Sequence, residues 1–134
     1  MVDEESAARR RTACERLEQW VSDESQRPGA DPDIMIAGDW NDDLTDPEED
    51  NVFTAFLERP EQYRFLTNTA AEHGDYSYIP FKKLIDHVMV TTDSLGEYGD
   101  GSTEVLRPDQ ADPSYRYDVS DHRPVVSRFR VTSP

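Results

Sequence analysis

The stretch Ile34-Met35-Ile36-Ala37-Gly38-Asp39-Trp40-Asn41-Asp42-Asp43 decides how the chain folds. Its first four residues are an apolar run too short for an isolated helix, set between Pro32 and Gly38, so it reads as a buried β-strand. At Gly38 the chain turns polar at once. A strand that stops there sets Asp39 and Asn41 side by side at a sheet edge, where α/β proteins usually keep their chemistry. The plain alternative is a strand followed by an acidic turn, since Asp and Asn are ordinary turn residues.

Around this stretch, 134 residues allow one domain with a single core. The hydrophobic fraction is only 35% and mean hydropathy is -0.84, but aromatics (10%) are spread along the chain, as in a folded protein with a highly charged surface. The net charge of -15 comes with only two lysines, Lys82 and Lys83, and with more Asp than Glu. That balance is similar to proteins adapted to a high-salt cytoplasm. Such a surface repels nucleic acid at low salt, because affinity for polyanions comes from Lys and Arg. The objection weakens in concentrated salt, where screening shortens to about 3 Å at 1 M. Cys14 is the sole cysteine, which excludes an internal disulfide or a cysteine zinc site. With no signal peptide and no long apolar run, a cytoplasmic protein without membrane contact is expected, unless a preceding portion carries an export signal.

Residues 3–24 read as a helix, capped by Asp3 or Ser6, that buries Ala13, Leu17, Trp20 and Val21 and leaves Arg9, Arg10 and Arg11 on its solvated side. Residues 25–33 form a loop into the first strand. The acidic loop 42–51 lacks the Gly-centred spacing of a calcium loop. A short helix over 51–58 buries Val52, Phe53, Phe56 and Leu57, and Pro60 ends it. Residues 63–67 and 76–79 alternate as strands, with a loop between them. Residues 84–91 are the second strong strand, in which a charge at Asp86 costs several kcal/mol unless paired. After the irregular segment 93–118, with a short strand at 103–106, Ser120-Asp121-His122-Arg123-Pro124 leads into a last strand over 125–131. Val125, Ser127 and Phe129 take one face of it and Val126, Arg128 and Arg130 the other.

Three polar sites thus sit beside three strands: Asp39 with Asn41, Asp86, and Asp121 with His122. A buried carboxylate bonded to a histidine fixes its tautomer and stabilises its protonated form, which suits the ring to contact a phosphoryl oxygen or a leaving group. Asp86 and His122 are the expected pair. Asp39 is placed to orient or deprotonate water, Asn41 to donate to a phosphate oxygen, and Asp121 to ligate a hard cation such as Mg²⁺.

In this order the pieces resemble the endonuclease/exonuclease/phosphatase superfamily over nearly the whole chain. Gly38-Asp39-Trp40-Asn41 resembles its Gly-Asp-aromatic-Asn motif, Ile85-Asp86-His87 its apolar-Asp-aromatic/His strand, and Ser120 to Pro124 its Ser-Asp-His-x-Pro terminal motif. The resemblance implies a metal-dependent phosphoesterase, most like a nuclease acting on a phosphodiester such as DNA, with Mg²⁺ or Mn²⁺. Asp39, Asn41, Asp86 and His122 would be catalytic and Asp121 near the metal. It also implies an α/β fold, the C-terminal half of a four-layer sandwich: one mainly antiparallel mixed sheet under a covering N-terminal helix.

The family's metal-binding Glu and early Asn belong to an N-terminal half that has no counterpart here. Glu4, Glu5 and Glu15 lie on the first helix and do not replace them. The expectation is an incomplete cation site, little activity alone, and an apolar sheet face that a homodimer or the missing half covers. From another functional class, the competing reading is a non-catalytic module that keeps the fold and binds a protein or a phosphorylated ligand.

Overall fold

Helix α1, Glu4–Gln26, opens the computed structural model, which describes residues 4–99 and 102–130. Glu4 and Glu5 complement the helix dipole in its first turn. Asp3 lies outside the described residues, and Ser6 is no cap, because it sits inside the helix with its Oγ accepting from Arg10 Nη1 at 2.7 Å. The helix buries Cys14, Glu18 and Val21, whereas Ala13 and Trp20 face outward, Trp20 at 55% exposure. The buried stripe is turned by about one residue from the expected one. The cause is Glu18, whose carboxylate takes a hydrogen bond from the Tyr63 hydroxyl at 2.7 Å and another from Arg59.

Nor is the arginine triplet merely wet. Arg10 Nε donates to Asp42 Oδ2 at 3.0 Å and Arg11 Nη2 to the Glu49 carbonyl at 3.1 Å, so two of the three arginines pin the acidic loop to the helix. Within that loop buried Asn51 donates to the Leu44 and Asp46 carbonyls and accepts from the Phe53 N–H. One amide thereby closes the loop and opens the short helix α2, Thr54–Leu57, where Phe56 is buried and Leu57 exposed.

Strands β1 (Met35–Asp39), β2 (Tyr63–Phe65) and β3 (Asp86–Thr91) form an antiparallel sheet in the order β1-β3-β2. Helix α3, Asn68–Glu72, replaces the loop expected after β2, and residues 76–79 make only isolated bridges from Tyr78 to Lys83 and His122. After β3 come a 3₁₀ turn and helix α4, Leu95–Tyr98, then β4 (Thr103–Val105), α5 (Pro108–Ala111), α6 (Tyr115–Asp118) and β5 (Val125–Ser127). β4 and β5 pair antiparallel as a second sheet. The α/β class, the antiparallel sheet and the covering N-terminal helix are therefore present. Each described ladder is antiparallel, and the strands divide between two sheets. The last strand, expected over 125–131, is regular only over Val125–Ser127: residues 128–130 are not in a strand, and residue 131 lies outside the described residues.

One core fills the space between α1, α2 and the three-stranded sheet, with Val21, Phe53, Phe56, Phe65 and Met89 at its centre. The Trp40 ring joins it, 5.6 Å from Phe65 and 5.7 Å from Phe53. The other sheet face carries Leu66, Val88 and Val90, which are covered by Leu95, Tyr98, Val125 and Phe129. Most of the apolar face expected to stand open is thus closed by the chain's own later segments. What remains open is β1. It was expected to be buried, but as the outer strand it has only Ile36 partly covered, and Met35 is 50% exposed.

Candidate phosphoester and cation site

Antiparallel register brings the site together. β1 pairs with β3 so that Asp39 faces Asp86, and side chains directly opposite in a ladder share a face. Like charges so placed repel, so this pair needs a cation or a cationic side chain between or beside it. The His122 ring is placed to supply one when protonated: its Nδ1 lies 2.8 Å from Asp86 Oδ2. Ligand atoms of Asp39, Asp86 and His122 all fall within 4.8 Å of one another, a spacing that could hold a metal ion.

Each member is held by its neighbours. Trp40, partly buried against the core, donates its backbone N–H to the Ile85 carbonyl at 2.8 Å and its indole N–H to the His87 carbonyl at 3.3 Å, which fixes the end of β1. This is the structural reason for an aromatic residue right after Asp39. Asn41 follows with a left-handed φ of 60°, and its N–H returns to Asp39 Oδ1 at 2.8 Å, a turn that Asn tolerates better than most residues. Asp39 and Asn41 are thus joined at an exposed turn at the strand end, as their spacing suggested.

His122 is clasped more fully. Its N–H donates to Ser120 Oγ at 3.0 Å, its carbonyl accepts from the Tyr115 hydroxyl at 3.2 Å, and the Tyr78 ring lies 5.0 Å away at 44°. Burial by itself lowers the pKa of this ring. The Asp86 hydrogen bond and the charges of Asp86, Asp39 and Asp121 outweigh it, and the net shift is upward. Next in sequence, Arg123 is buried with a bidentate bond to Asp109 (2.8 and 2.7 Å) and its guanidinium 3.8 Å above the Tyr76 ring.

Asp121 stands apart from the other candidates. It is exposed, its carbonyl accepts from the Ile79 N–H at 3.0 Å, and it is not in the group of three close enough to share an ion. The group that could share an ion contains Asp39 and Asp86 as its oxygen donors, and the expected ligand Asp121 is not part of it. A backbone already used to pair with Ile79 fixes where residue 121 sits. Its charge still acts on His122 from a distance.

A cleft of about 330 Å³ opens beside Asp86 and His122, lined also by Ala37, Val88, Tyr115 and Pro124 among others. His87, one residue from Asp86, faces the other way. It is buried, with Nε2 2.9 Å from the Asp42 carbonyl and Nδ1 2.9 Å from Thr67 Oγ1. A carbonyl only accepts, so Nε2 carries the proton and Nδ1 accepts from the threonine. Burial lowers its pKa, so the ring stays neutral and structural. Sequence reasoning did not find Tyr78, Tyr115 or Ser120 around His122. Ser120 lay inside a quoted motif, but the tyrosines are brought in by bridges and short helices that leave no periodic signal.

No protein-family model, curated protein or solved structure matches this chain. Among the described residues no helix is long and apolar enough to cross a membrane.

Proposed function

We propose that this site belongs to a metal-dependent phosphoesterase, nuclease-like and of the endonuclease/exonuclease/phosphatase kind, acting on a phosphodiester. The observation that carries this reading is the 2.8 Å Asp86–His122 bond lying directly beside Asp39 across the β1–β3 ladder. Asp86 fixes the ring with Nδ1 toward the carboxylate and favours the imidazolium, so His122 presents positive charge and a proton donor to a phosphoryl or leaving oxygen. Asp39 orients or deprotonates the attacking water, and Asn41 donates its side-chain amide to a phosphate oxygen. Oxygen donors at Asp39 and Asp86 suit a hard cation. Mg²⁺ or Mn²⁺ held there would offset the negative charge on the phosphoryl and leaving oxygens and lower the pKa of bound water.

Donors are few. Of the three close residues, two already bond to each other, so the chain by itself is expected to bind Mg²⁺ only in the millimolar range and to turn over slowly or not at all. A second copy, or a further sheet that packs on the open side of β1, would complete it. The same shortage favours a second reading, a module that binds a phosphorylated ligand without hydrolysing it. DNA is a possible substrate only where salt screens the net charge of -15.

The test is hydrolysis of bis(4-nitrophenyl) phosphate and of short DNA with Mg²⁺, alongside Mg²⁺ titration by calorimetry and NMR of the His122 ring with inorganic phosphate. Expected are weak Mg²⁺ binding that Asp39→Ala abolishes and a phosphate-dependent shift at His122. Any hydrolysis should disappear in Asp39→Ala and His122→Ala. A protein that neither binds Mg²⁺ nor senses phosphate at His122 overturns the proposal. Phosphate sensing with no hydrolysis, even after a partner is supplied, selects the binding module.

A further inference from the structure

Asp86 and His122 come from segments 36 residues apart, and a hydrogen bond of 2.8 Å between them demands that two backbones be registered closely. β3 begins at Asp86, and the Trp40–Ile85 backbone bond behind it ties the strand to β1 but not to the terminal segment. The terminal segment is also irregular here, since β5 begins only at Val125. Something other than regular secondary structure must align the two.

A residue bonded to the backbone of both segments is Ser77. It is fully buried, at 0% exposure, in the stretch 76–79 that forms no strand of its own. Its Oγ accepts the backbone N–H groups of both Ile85 and Asp86, each at 3.2 Å. Its carbonyl accepts the Arg123 N–H at 2.7 Å, and its own N–H donates to the Lys83 carbonyl at 3.1 Å. One residue therefore holds the backbone of Asp86 with its side chain and the backbone beside His122 with its main chain. The neighbours extend the clamp: Tyr78 bridges to His122 and packs its ring on it, and the Ile79 N–H donates to the Asp121 carbonyl.

We propose that Ser77 is the positioning residue of the Asp86–His122 pair, setting the separation of two side chains it does not itself touch. A buried hydroxyl with two N–H groups converging on its oxygen is costly to replace, because both donors then lose their acceptor away from water. A rotation of the Asp86 peptide follows, and the carboxylate moves off the ring. The phosphoester role of the pair rests on the reading above, but the clamp does not.

Ser77→Ala removes the acceptor, Ser77→Cys keeps the volume with a much weaker acceptor, and Ser77→Thr restores the oxygen. The Nδ1-bound proton of His122, followed in ¹⁵N-labelled protein, reports the bond to Asp86 directly, and Mg²⁺ affinity reports the site. Expected for Ser77→Ala, and for Ser77→Cys should Ser77→Ala fail to fold, is loss of that proton signal and a fall in Mg²⁺ affinity of about tenfold, the usual scale for groups that orient ligands. The amide spectrum elsewhere should stay dispersed, and Ser77→Thr should recover both readouts. A folded Ser77→Ala or Ser77→Cys protein with the His122 ring proton unchanged overturns the proposal. Wild-type protein that keeps the ring signal but neither binds Mg²⁺ nor senses phosphate removes the phosphoesterase reading and leaves the clamp standing.

Discussion

His87 and His122 lie against opposite faces of one sheet and answer pH in opposite directions. His87 is neutral because burial lowers its pKa, so the unfolded chain takes up its proton first as pH falls below the ordinary value of 6.5. Its stabilising contribution is whole above 6.5 and is lost as pH drops toward the folded value. His122 has a raised pKa, so its contribution is whole below 6.5 and is lost as pH rises through the folded value. Asp46, pushed up to about 6 by burial and by its hydrogen bond with Asp42, has the same sign as His122: stability falls as pH climbs from 3.8 through that value. Urea unfolding across pH, taken as the difference between wild type and each variant, separates the three. His87→Gln should lose stability everywhere but with a flatter acid limb, His122→Gln should flatten the limb above 6.5, and Asp46→Asn should gain stability toward neutral pH. Acid limbs that coincide in wild type and His87→Gln would show that His87 is not held neutral.

At the scale of the element, period is easier to read than orientation. The N-terminal helix follows from its 3.6-residue pattern within two residues at either end, but which stripe faces inward was settled by a contact no local pattern encodes, Glu18 with Arg59 and Tyr63. Trp20→Ala should therefore change stability by less than about 0.5 kcal/mol. Val21→Ala, at a fully buried site, should cost roughly 2 kcal/mol from two lost methyl groups and the space they leave, as denaturant midpoints can check. β1 offers a sharper test. Trp40 and Ile34 hydrogen-bond to Ile85 and Thr91, so even-numbered residues point their backbone groups at β3 and odd-numbered ones point away. Ala37→Pro should then stay within about 1 kcal/mol of wild type, whereas Ile36→Pro loses a ladder bond and should cost clearly more. Equal losses would mean that β1 is not an outer strand. The sequence made β1 legible as a strand through its apolar run, but not as an exposed one, because four apolar residues read alike whether or not a neighbour covers them. Helix α3 and the three helices after residue 94 escaped because four or five residues hold barely one turn of pattern.

Over the whole molecule the same division holds for the site: residue types and order were legible, and the Asp86–His122 pair follows from a charge that needed a partner. The place of Asp121 was not, since it depends on a backbone bond to Ile79. Charge is the property that only the molecule as a whole displays. With a net charge of -15, self-repulsion opposes the compact state, and it is spread over a surface on which the acidic loop 42–50 and the site carboxylates leave few basic partners. The pairs that hold the fold are short-range or partly buried, such as Arg123 with Asp109 and Glu18 with Arg59. Salt therefore acts unequally. Raising ionic strength from about 0.1 M to 1 M shortens the screening length from roughly 10 Å to 3 Å, which removes long-range repulsion and largely spares bonds at contact distance. The melting temperature should rise with KCl over that range by several degrees, measured by circular dichroism at fixed pH. Neutral osmolyte serves as the control for excluded-volume stabilisation. A variant with three acids of the loop, Glu48, Glu49 and Asp50, changed to Gln, Gln and Asn should start higher and rise less. A melting temperature that falls with KCl would mean that the surface ion pairs outweigh the repulsion, and that the acidic excess is a neutral trait of composition rather than a fit to concentrated salt.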